Sequence, residues 1–451
     1  MNIVIIGAGE TGRHVAALFS REGHNVTLVD TDAKRLEQAS WLSDLAISVG
    51  SGIDWQLLDS FLDLSPDLLV ALTSSDQTNF VSCSIAKNLG YPRTIARVRD
   101  NRYLNHLRLD FGRIFDVDEF IGPELLVANE IYKAILHPGA IRFETFAHGA
   151  VQLRSYRVPM NWRRSDRPLP RLDLPQGVMV ALIKRPHSRK EGFEVIFPHG
   201  RDCLLPGDEV SLIGEARAME EMHRFFGIEE SSLSSAVIVG GSRTAINLTR
   251  LLEKRGVLIR LVEKEYQKCC KLSEMLPHTT IIHHDAQDLE FLLSEKMNLS
   301  DAFVVSTHSD DTNLLTALIA KEAGCRNLMI QLSDSSLHSI VNRLEIGYTV
   351  SPRMVASNRI LSLALSETLT SLVSLYEDQA EIMEIHVSSK SRIAGIPLSE
   401  LGPLFPKDFL IAMIQNRGRI MVAHGNRIIS PGDSVILVSN PKHRQELERI
   451  F

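Results

Sequence analysis

Asn2-Ile3-Val4-Ile5-Ile6-Gly7-Ala8-Gly9-Glu10-Thr11-Gly12 opens the chain, and how it is read decides the fold. The run Ile3 to Ile6 predicts a buried strand, and glycines at 7, 9 and 12 predict a tight turn into a helix. That helix places Val15, Ala16, Leu18 and Phe19 on one side and closes at Gly23. A second strand-like run, Val26 to Val29, ends in Asp30, 18 positions after Gly12. A strand, a glycine-rich turn, a helix and an acid at the next strand's end make a βαβ unit of the Rossmann kind.

The unit occurs twice. Ala236-Val237-Ile238-Val239 runs into Gly240-Gly241-Ser242-Arg243-Thr244-Ala245, and the next strand ends in Glu263, again 18 positions after the last small residue. Thr73-Ser74-Ser75-Asp76-Gln77-Thr78-Asn79 returns 234 positions on as Thr307-His308-Ser309-Asp310-Asp311-Thr312-Asn313. Ile85-Ala86-Lys87 and Gly90 return at the same offset as Ile319-Ala320-Lys321 and Gly324. A smaller segment is also doubled: Leu205-Pro206-Gly207-Asp208-Glu209-Val210 matches Ser430-Pro431-Gly432-Asp433-Ser434-Val435. Whole domains are therefore duplicated, in the order N-type, C-type, N-type, C-type. The expected divisions are 1–120, 141–227, 233–352 and 372–451. The expected fold class is α/β, two Rossmann-like parallel-sheet domains each followed by a small α+β domain. Connecting helices are expected over 121–140, stopped at Pro138-Gly139, and over roughly 353–375; a terminal helix is expected over 216–226. Ser231-Ser232-Leu233-Ser234-Ser235 reads as a linker.

The 451 residues carry a net charge of −6, with 44% hydrophobic and 23% charged residues. That is ordinary soluble composition, with no global basic field to draw the chain to nucleic acid or anionic lipid. The longest apolar runs, such as Leu68-Leu69-Val70-Ala71-Leu72, are strand-sized, far short of the ~20 residues of a transmembrane helix. A strand starting at residue 2 leaves no room for a signal peptide, and 5 irregularly spaced cysteines give no disulfide framework. A cytosolic chain is expected.

In the first copy Gly7 permits the tight turn, Gly9 lets backbone N–H groups approach a pyrophosphate, and Gly12 allows close helix–strand packing. The phosphates then meet a helix N-terminus, and Asp30 accepts hydrogen bonds from an adenosine ribose. An anion there disfavours a 2′-phosphate, so NAD or ATP fits better than NADP. Thr73 and Ser74 lie at the carboxyl edge of the strand 68–72 and read as ligand contacts; Ser75 and Asp76 read as helix caps. Arg97 ends another strand at this edge and reads either as a phosphate partner or as a solvated arginine.

The second copy departs where it matters most. Ser242 replaces the glycine of closest phosphate approach, Arg243 replaces Glu10, and Gln331 stands where Arg97 stood. Three outcomes stay open: weak nucleotide binding, a different phosphate arrangement using Arg243, or a vestigial site. Cys269, Cys270, His278, His283 and His284 lack a compact metal-ligand spacing. Arg154, Arg157, Arg163, Arg164, Arg167 and Arg171, with Trp162, are expected to form a solvated loop, not a nucleic-acid reader. No nucleophile–base arrangement, metalloprotease motif or P-loop appears, so catalysis is not expected.

The tandem layout, the Gly7-Ala8-Gly9 fingerprint with Asp30, the doubled Ser-Asp-x-Thr-Asn motif and the doubled Pro-Gly-Asp strand resemble a known family over essentially the whole chain. It is the family of tandem RCK (KTN) domain proteins that serve as regulatory subunits of Trk potassium-uptake systems. The resemblance implies a peripheral protein on the cytoplasmic face of the membrane, a homo-oligomer (a tetramer), bound to a Trk-type potassium channel membrane subunit. It implies NAD(H), with ATP or ADP, as regulators and not substrates. Carried over residue by residue, it implies Gly7, Ala8, Gly9, Glu10, Thr11, Gly12, Asp30, Thr73, Ser74 and Arg97 for the first nucleotide site. For the second it implies Gly240, Gly241, Ser242, Arg243, Thr244, Glu263, Thr307 and His308. The apolar series Leu361, Leu363, Leu365, Leu369 and Leu372 adds to the expectation of an oligomer, being too apolar for a solvated helix. Two other readings stay open: an NAD-dependent dehydrogenase, and an RCK regulator of another cation transporter. Against the dehydrogenase stands the lack of a substrate domain with a placed acid or base.

Overall fold

The computed structural model describes residues 1–40, 45–104, 108–137, 139–187, 192–228, 233–344, 346–364, 369–376, 379–402, 405–406 and 408–451. The first copy alternates as the spacing predicts. It runs β1 (Asn2–Ile6), α1 (Glu10–Arg21), β2 (Asn25–Asp30), α2 (Ala33–Ser40), β3 (Ala46–Val49), α3 (Trp55–Ser60), β4 (Leu68–Ala71) and α4 (Asp76–Leu89). It continues β5 (Arg93–Arg97), α5 (Phe111–Phe115), β6 (Glu119–Ile121) and α6 (Pro123–Leu136). The sheet order is β3-β2-β1-β4-β5-β6, paired in parallel. The order reverses between β1 and β4, so their carboxyl ends open a crevice. Gly7 to Gly12 follow one of these strands and Thr73-Ser74 the other.

A small domain follows: β7 (Arg142–Phe146), β8 (Val151–Arg157), β9 (Val178–Pro186), β10 (Phe193–Ile196), β11 (Glu209–Glu215), α7 (Ala216–Met219) and α8 (Met222–Phe225). The expected helix 216–226 is thus two short helices. The second Rossmann copy runs β12 (Ser235–Val239), α9 (Arg243–Glu253), β13 (Leu258–Glu263), α10 (Tyr266–Met275), β14 (Thr280–His283), α11 (Leu289–Ser294) and β15 (Ala302–Val305). It ends with α12 (Asp310–Glu322), β16 (Leu328–Gln331), α13 (Ser335–Arg343), β17 (Tyr348–Val350) and α14 (Pro352–Ala364). Its order, β14-β13-β12-β15-β16-β17, repeats the first. The last small domain is β18 (Leu369–Leu375), β19 (Ala380–His386), β20 (Phe409–Asn416), β21 (Arg419–Val422), β22 (Ser434–Ser439) and α15 (Arg444–Ile450). The two small sheets, β10-β9-β11-β8-β7 and β18-β19-β22-β20-β21, have the same connectivity read from opposite edges.

The chain forms two compact units, Met1–Ile135 with Leu233–Ala364, and Leu136–Ser232 with Leu365–Phe451. In the first unit the two Rossmann copies exchange connecting helices. Val127, Ala128, Ile131, Ala134 and Ile135 of α6 recur at helical spacing and are buried with Ile238, Leu248 and Leu252 of the second copy. In return α14 packs on α1, and Arg93 Nη2 donates to Leu363 O at 2.6 Å. The expected helix over 353–375 is corrected: α14 stops at Ala364, and Leu369 and Leu372 lie on β18. Leu365, Pro138, Ser231 and Ser232 lie outside the described residues.

In the second unit the two small sheets share a core in which Leu153, Leu182 and Ile213 meet Ile382, Met413 and Ile436. A buried hydroxyl chain crosses it, with Ser155 and Ser211 2.7 Å apart and Ser211 2.6 Å from the Tyr376 phenol. Burial pushes that phenol's pKa up. The basic stretch is corrected in part: Arg154 is on β8, buried, and donates to Gln152 Oε1. Arg164 lies over the Trp162 and Phe225 rings. Among the described residues no helix is long and apolar enough to cross a membrane.

Candidate nucleotide site

The first copy's glycines occupy three different steric situations. Gly7 has φ +105°, and a Cβ there would meet Thr73 N at 3.1 Å. A Cβ on Gly12 would fall 1.8 Å from Gly7 O, so only glycine lets α1 pass this close to the turn. Gly9 is the N-cap of α1, and a Cβ there would meet nothing within 4 Å. No side chain caps α1. Its first N–H groups are therefore left without a side-chain acceptor, the arrangement that receives an anion.

Asp30 closes the side of this receptor. Its Oδ2 accepts from Ala8 N at 2.6 Å and its Oδ1 from Asp32 N at 2.9 Å. The carboxylate thus also holds the glycine turn in shape, a role the sequence reading missed. Each oxygen keeps a second lone pair for a ribose hydroxyl.

At the neighbouring strand ends, Asn79 is the organiser. Its Oδ1 accepts from Thr73 N at 2.9 Å and Thr73 Oγ1 at 2.7 Å, and its Nδ2 donates to Arg97 O at 2.9 Å. Asn313 makes the same bonds in the second copy, to Thr307 and to Gln331 O. Repetition of Asn79 at Asn313 was the signal for it. Ser75 caps α4 by accepting from Thr78 N. Asp76 does not cap; it accepts from Arg99 N at 2.9 Å and Asp100 N at 3.0 Å and so fixes the loop after β5. Ser74 is exposed beside that loop, with Arg99 Nη1 3.4 Å from its carbonyl.

Arg97 is not a solvated arginine. It pairs with Glu124 at 3.1 Å, and Arg99 Nε lies 3.9 Å from the same carboxylate oxygen. Two guanidinium groups thus share one carboxylate, which leaves positive charge at the carboxyl edge of the sheet. Buried Nε atoms of Arg97 and Arg99 and Oε2 of Glu124 have no hydrogen-bond partner among the described residues. The two unpartnered arginine donors and the open cradle at Gly9 suit a phosphate-bearing ligand, whereas Glu124 Oε2, an acceptor, does not. Arg99 went unread because its counterpart, Ser333, is no cation, so duplication gave it no emphasis.

The second copy is built differently at its centre. Gly240 repeats the turn, with φ +96°. Ser242, only 4% exposed, caps α9 by accepting from Ala245 N at 3.1 Å. Its hydroxyl lies 2.9 Å from Ser306 Oγ, which donates to Gln331 Oε1 at 2.8 Å. This network satisfies a helix N–H with the protein's own side chain, where the first copy has Gly9, Leu72 and Arg97. Glu263 repeats Asp30's turn-holding role, accepting from Gly241 N at 2.7 Å and Glu265 N at 2.9 Å, and is buried. Thr244 is buried, His308 is exposed, and Arg243 turns away to donate to Arg99 O.

The cysteine–histidine group is dispersed among other tasks. Cys269 Sγ contacts Glu263 O at 3.3 Å, His283 contacts Lys264 O at 3.0 Å, and His284 stacks on Phe291. Among the described residues no cluster of three or more such side chains is placed to hold a metal ion.

Comparison with known proteins matches the chain to a family. The TrkA-N domain model matches residues 3–120 and 236–352, and the TrkA-C domain model matches 382–451. The Trk system potassium uptake protein TrkA homolog 1 of Methanosarcina mazei is 30% identical over the full length of both chains. TrkA of Halomonas elongata is 28% identical over 100% of this chain and 98% of its own. The crystal structure of the GsuK RCK domain shares the fold, with a TM-score of 0.62 at 15% identity over 100% of this chain and 94% of that one. The GsuK channel bound to NAD does so with a TM-score of 0.62 at 15% identity, over 100% and 78%. With both Rossmann copies matched and relatives aligned from end to end, the chain belongs to the TrkA family.

Proposed function

We propose that this chain is the nucleotide-sensing regulatory subunit of a Trk-type potassium-uptake system. It acts as a peripheral homo-oligomer, a tetramer, on the membrane channel subunit at the cytoplasmic face, and its four domains are 1–120, 141–227, 233–352 and 372–451. The observation that carries the reading is the first copy's receptor: the uncapped N-terminus of α1 behind Gly9, flanked by Asp30 and by two arginines that share Glu124. Gly7, Ala8, Gly9, Glu10 and Thr11 border the pyrophosphate, and Asp30 accepts from the ribose. Thr73, Ser74 and Arg97 border the remainder of the ligand.

Asp30 disfavours a 2′-phosphate, which selects NAD(H) or ATP and ADP over NADP. The nucleotide is an effector and not a substrate, because the groups around the cradle bind and orient but offer no placed general acid or base. Regulation requires that nucleotide bind one arrangement of the assembly more tightly than another.

The test is genetic. A strain lacking the protein should grow poorly at low external potassium and normally when potassium is abundant. Normal potassium uptake in that strain, with no parallel potassium system running, would overturn the assignment. Turnover of NADH with a candidate ketone by the purified chain would move it to the dehydrogenases.

A further inference from the structure

In both Rossmann copies an arginine grips the same backbone carbonyl in the loop after the fifth strand, but the arginine comes from different places. In the second copy the carbonyl is Ser333 O, and Arg353 Nη2 donates to it at 2.5 Å. Arg353 is the second residue of α14, so this copy's loop is held by its own connecting helix. The first copy has Glu124 at that position of α6, and Glu124 is engaged with Arg97 and Arg99. The matching carbonyl, Arg99 O, is held by Arg243 Nη1 of the second copy at 2.7 Å. One turn further along α9, Asn247 Oδ1 accepts from Asn101 Nδ2 at 2.6 Å. Glu10, the first copy's residue at the Arg243 position, is a carboxylate and has no proton to return the favour. The bracket runs one way.

The gripped peptide is the one that aims the first site. Asp76 takes the N–H groups of Arg99 and Asp100 from within the first copy, while Arg243 takes the Arg99 carbonyl from the second. Held from both sides, the loop sets the Arg99 side chain beside the Ser74 carbonyl and Glu124.

We infer that Arg243 and Asn247 are positioning residues for the first copy's nucleotide site, although they stand in the second copy's helix. The first site is complete only when the two Rossmann copies are in register, whereas the second copy's loop is self-held. Binding in the first copy therefore strengthens the contact between copies, and the contact strengthens binding, by one and the same factor. The inference rests on the proposed reading that the first copy takes nucleotide.

The test is calorimetric titration of NADH, and separately ATP, into the full chain. Arg243 is exposed and its replacement leaves the cores intact. Arg243→Met should weaken the Asp30-dependent binding about five-fold or more. Arg243→Lys, which retains a donor for the carbonyl, should recover much of it. Amide exchange at Arg99 and Asp100 should be faster in Arg243→Met than in wild type. In a Glu263→Ala background, which removes the second copy's acid, Arg243→Met should cost as much as it does in wild type. Unchanged Asp30-dependent affinity in Arg243→Met would overturn the inference. So would loss of the Arg243→Met effect in the Glu263→Ala background, which would place Arg243 in a second-copy site. Wild-type chain without any Asp30-dependent binding would overturn the nucleotide reading itself, and this inference with it.

Discussion

Gly9 and Ser242 hold the same place in the two copies and differ by one hydroxymethyl group, yet they define opposite sites. A methyl at Gly9 meets no protein atom within 4 Å, so Gly9→Ala should melt at the wild-type temperature. It should nevertheless lose nucleotide affinity, because the methyl occupies the phosphate's approach. A thermal melt alongside a titration checks both halves. Gly12→Ala should behave in the reverse way. Its Cβ strikes Gly7 O, and denaturant unfolding should show a loss of about 1–3 kcal/mol. The acids should also differ. A charge-assisted hydrogen bond from Asp30 to ribose is worth about 1.5–3 kcal/mol, so Asp30→Ala should weaken NADH binding roughly ten-fold or more. Glu263→Ala should do much less, since Ser242 already occupies the helix N–H there. Equal losses in calorimetry would show that the second copy is a full partner.

At the scale of elements, the Asn79 side chain ties the end of β4 to the end of β5. Asn79→Ala leaves Thr73 N and Arg97 O without their partner in a buried place. A loss of about 1–3 kcal/mol is expected for each group left unsatisfied, measurable by urea unfolding. The cysteines report on helix packing. Cys83 on α4 and Cys325 after α12 face the core, and burial pushes the Cys325 thiol up to about 11 and raises that of Cys83 as well. Cys269 is buried beside Glu263, and both raise its thiol. Because only the thiolate reacts, a thiol reagent at mildly alkaline pH should label Cys270 and Cys203 in the native chain. Cys83, Cys269 and Cys325 should react only after unfolding. Rapid labelling of Cys325 in the native chain would contradict the packing of α12.

For the whole molecule, the exchange of α6 and α14 changes the argument for assembly. The apolar faces of the connecting helices are covered within one chain, so they do not themselves require a second copy. Large apolar side chains are still exposed elsewhere, Leu315 and Leu318 on α12 and Ile340 and Leu344 in and after α13 among them. Such a surface is suited to contact between chains. Light scattering at micromolar concentration should show a multiple of the chain mass. A monodisperse monomer, with and without nucleotide, would end the idea of a homo-oligomer.

Strand–turn–helix order, the doubling of the Rossmann unit, the glycine turn and the acids at Asp30 and Glu263 were all legible in the sequence alone. These follow from backbone sterics and hydrophobic period, which act between residues a few positions apart. The departure at Ser242 was legible too, though not its consequence. That depended on Ser306 and Gln331 arriving beside it from two later strands. Arg97 was singled out without its partner, because Glu124 reaches it only across a strand junction. Arg243 was read as belonging to its own copy, since neighbours in sequence share a motif. Its real contact, Arg99, is 144 positions away. Only the tertiary structure decided which helix covers which sheet and whose arginine holds which loop. Both depend on surfaces that come into existence once each copy has folded.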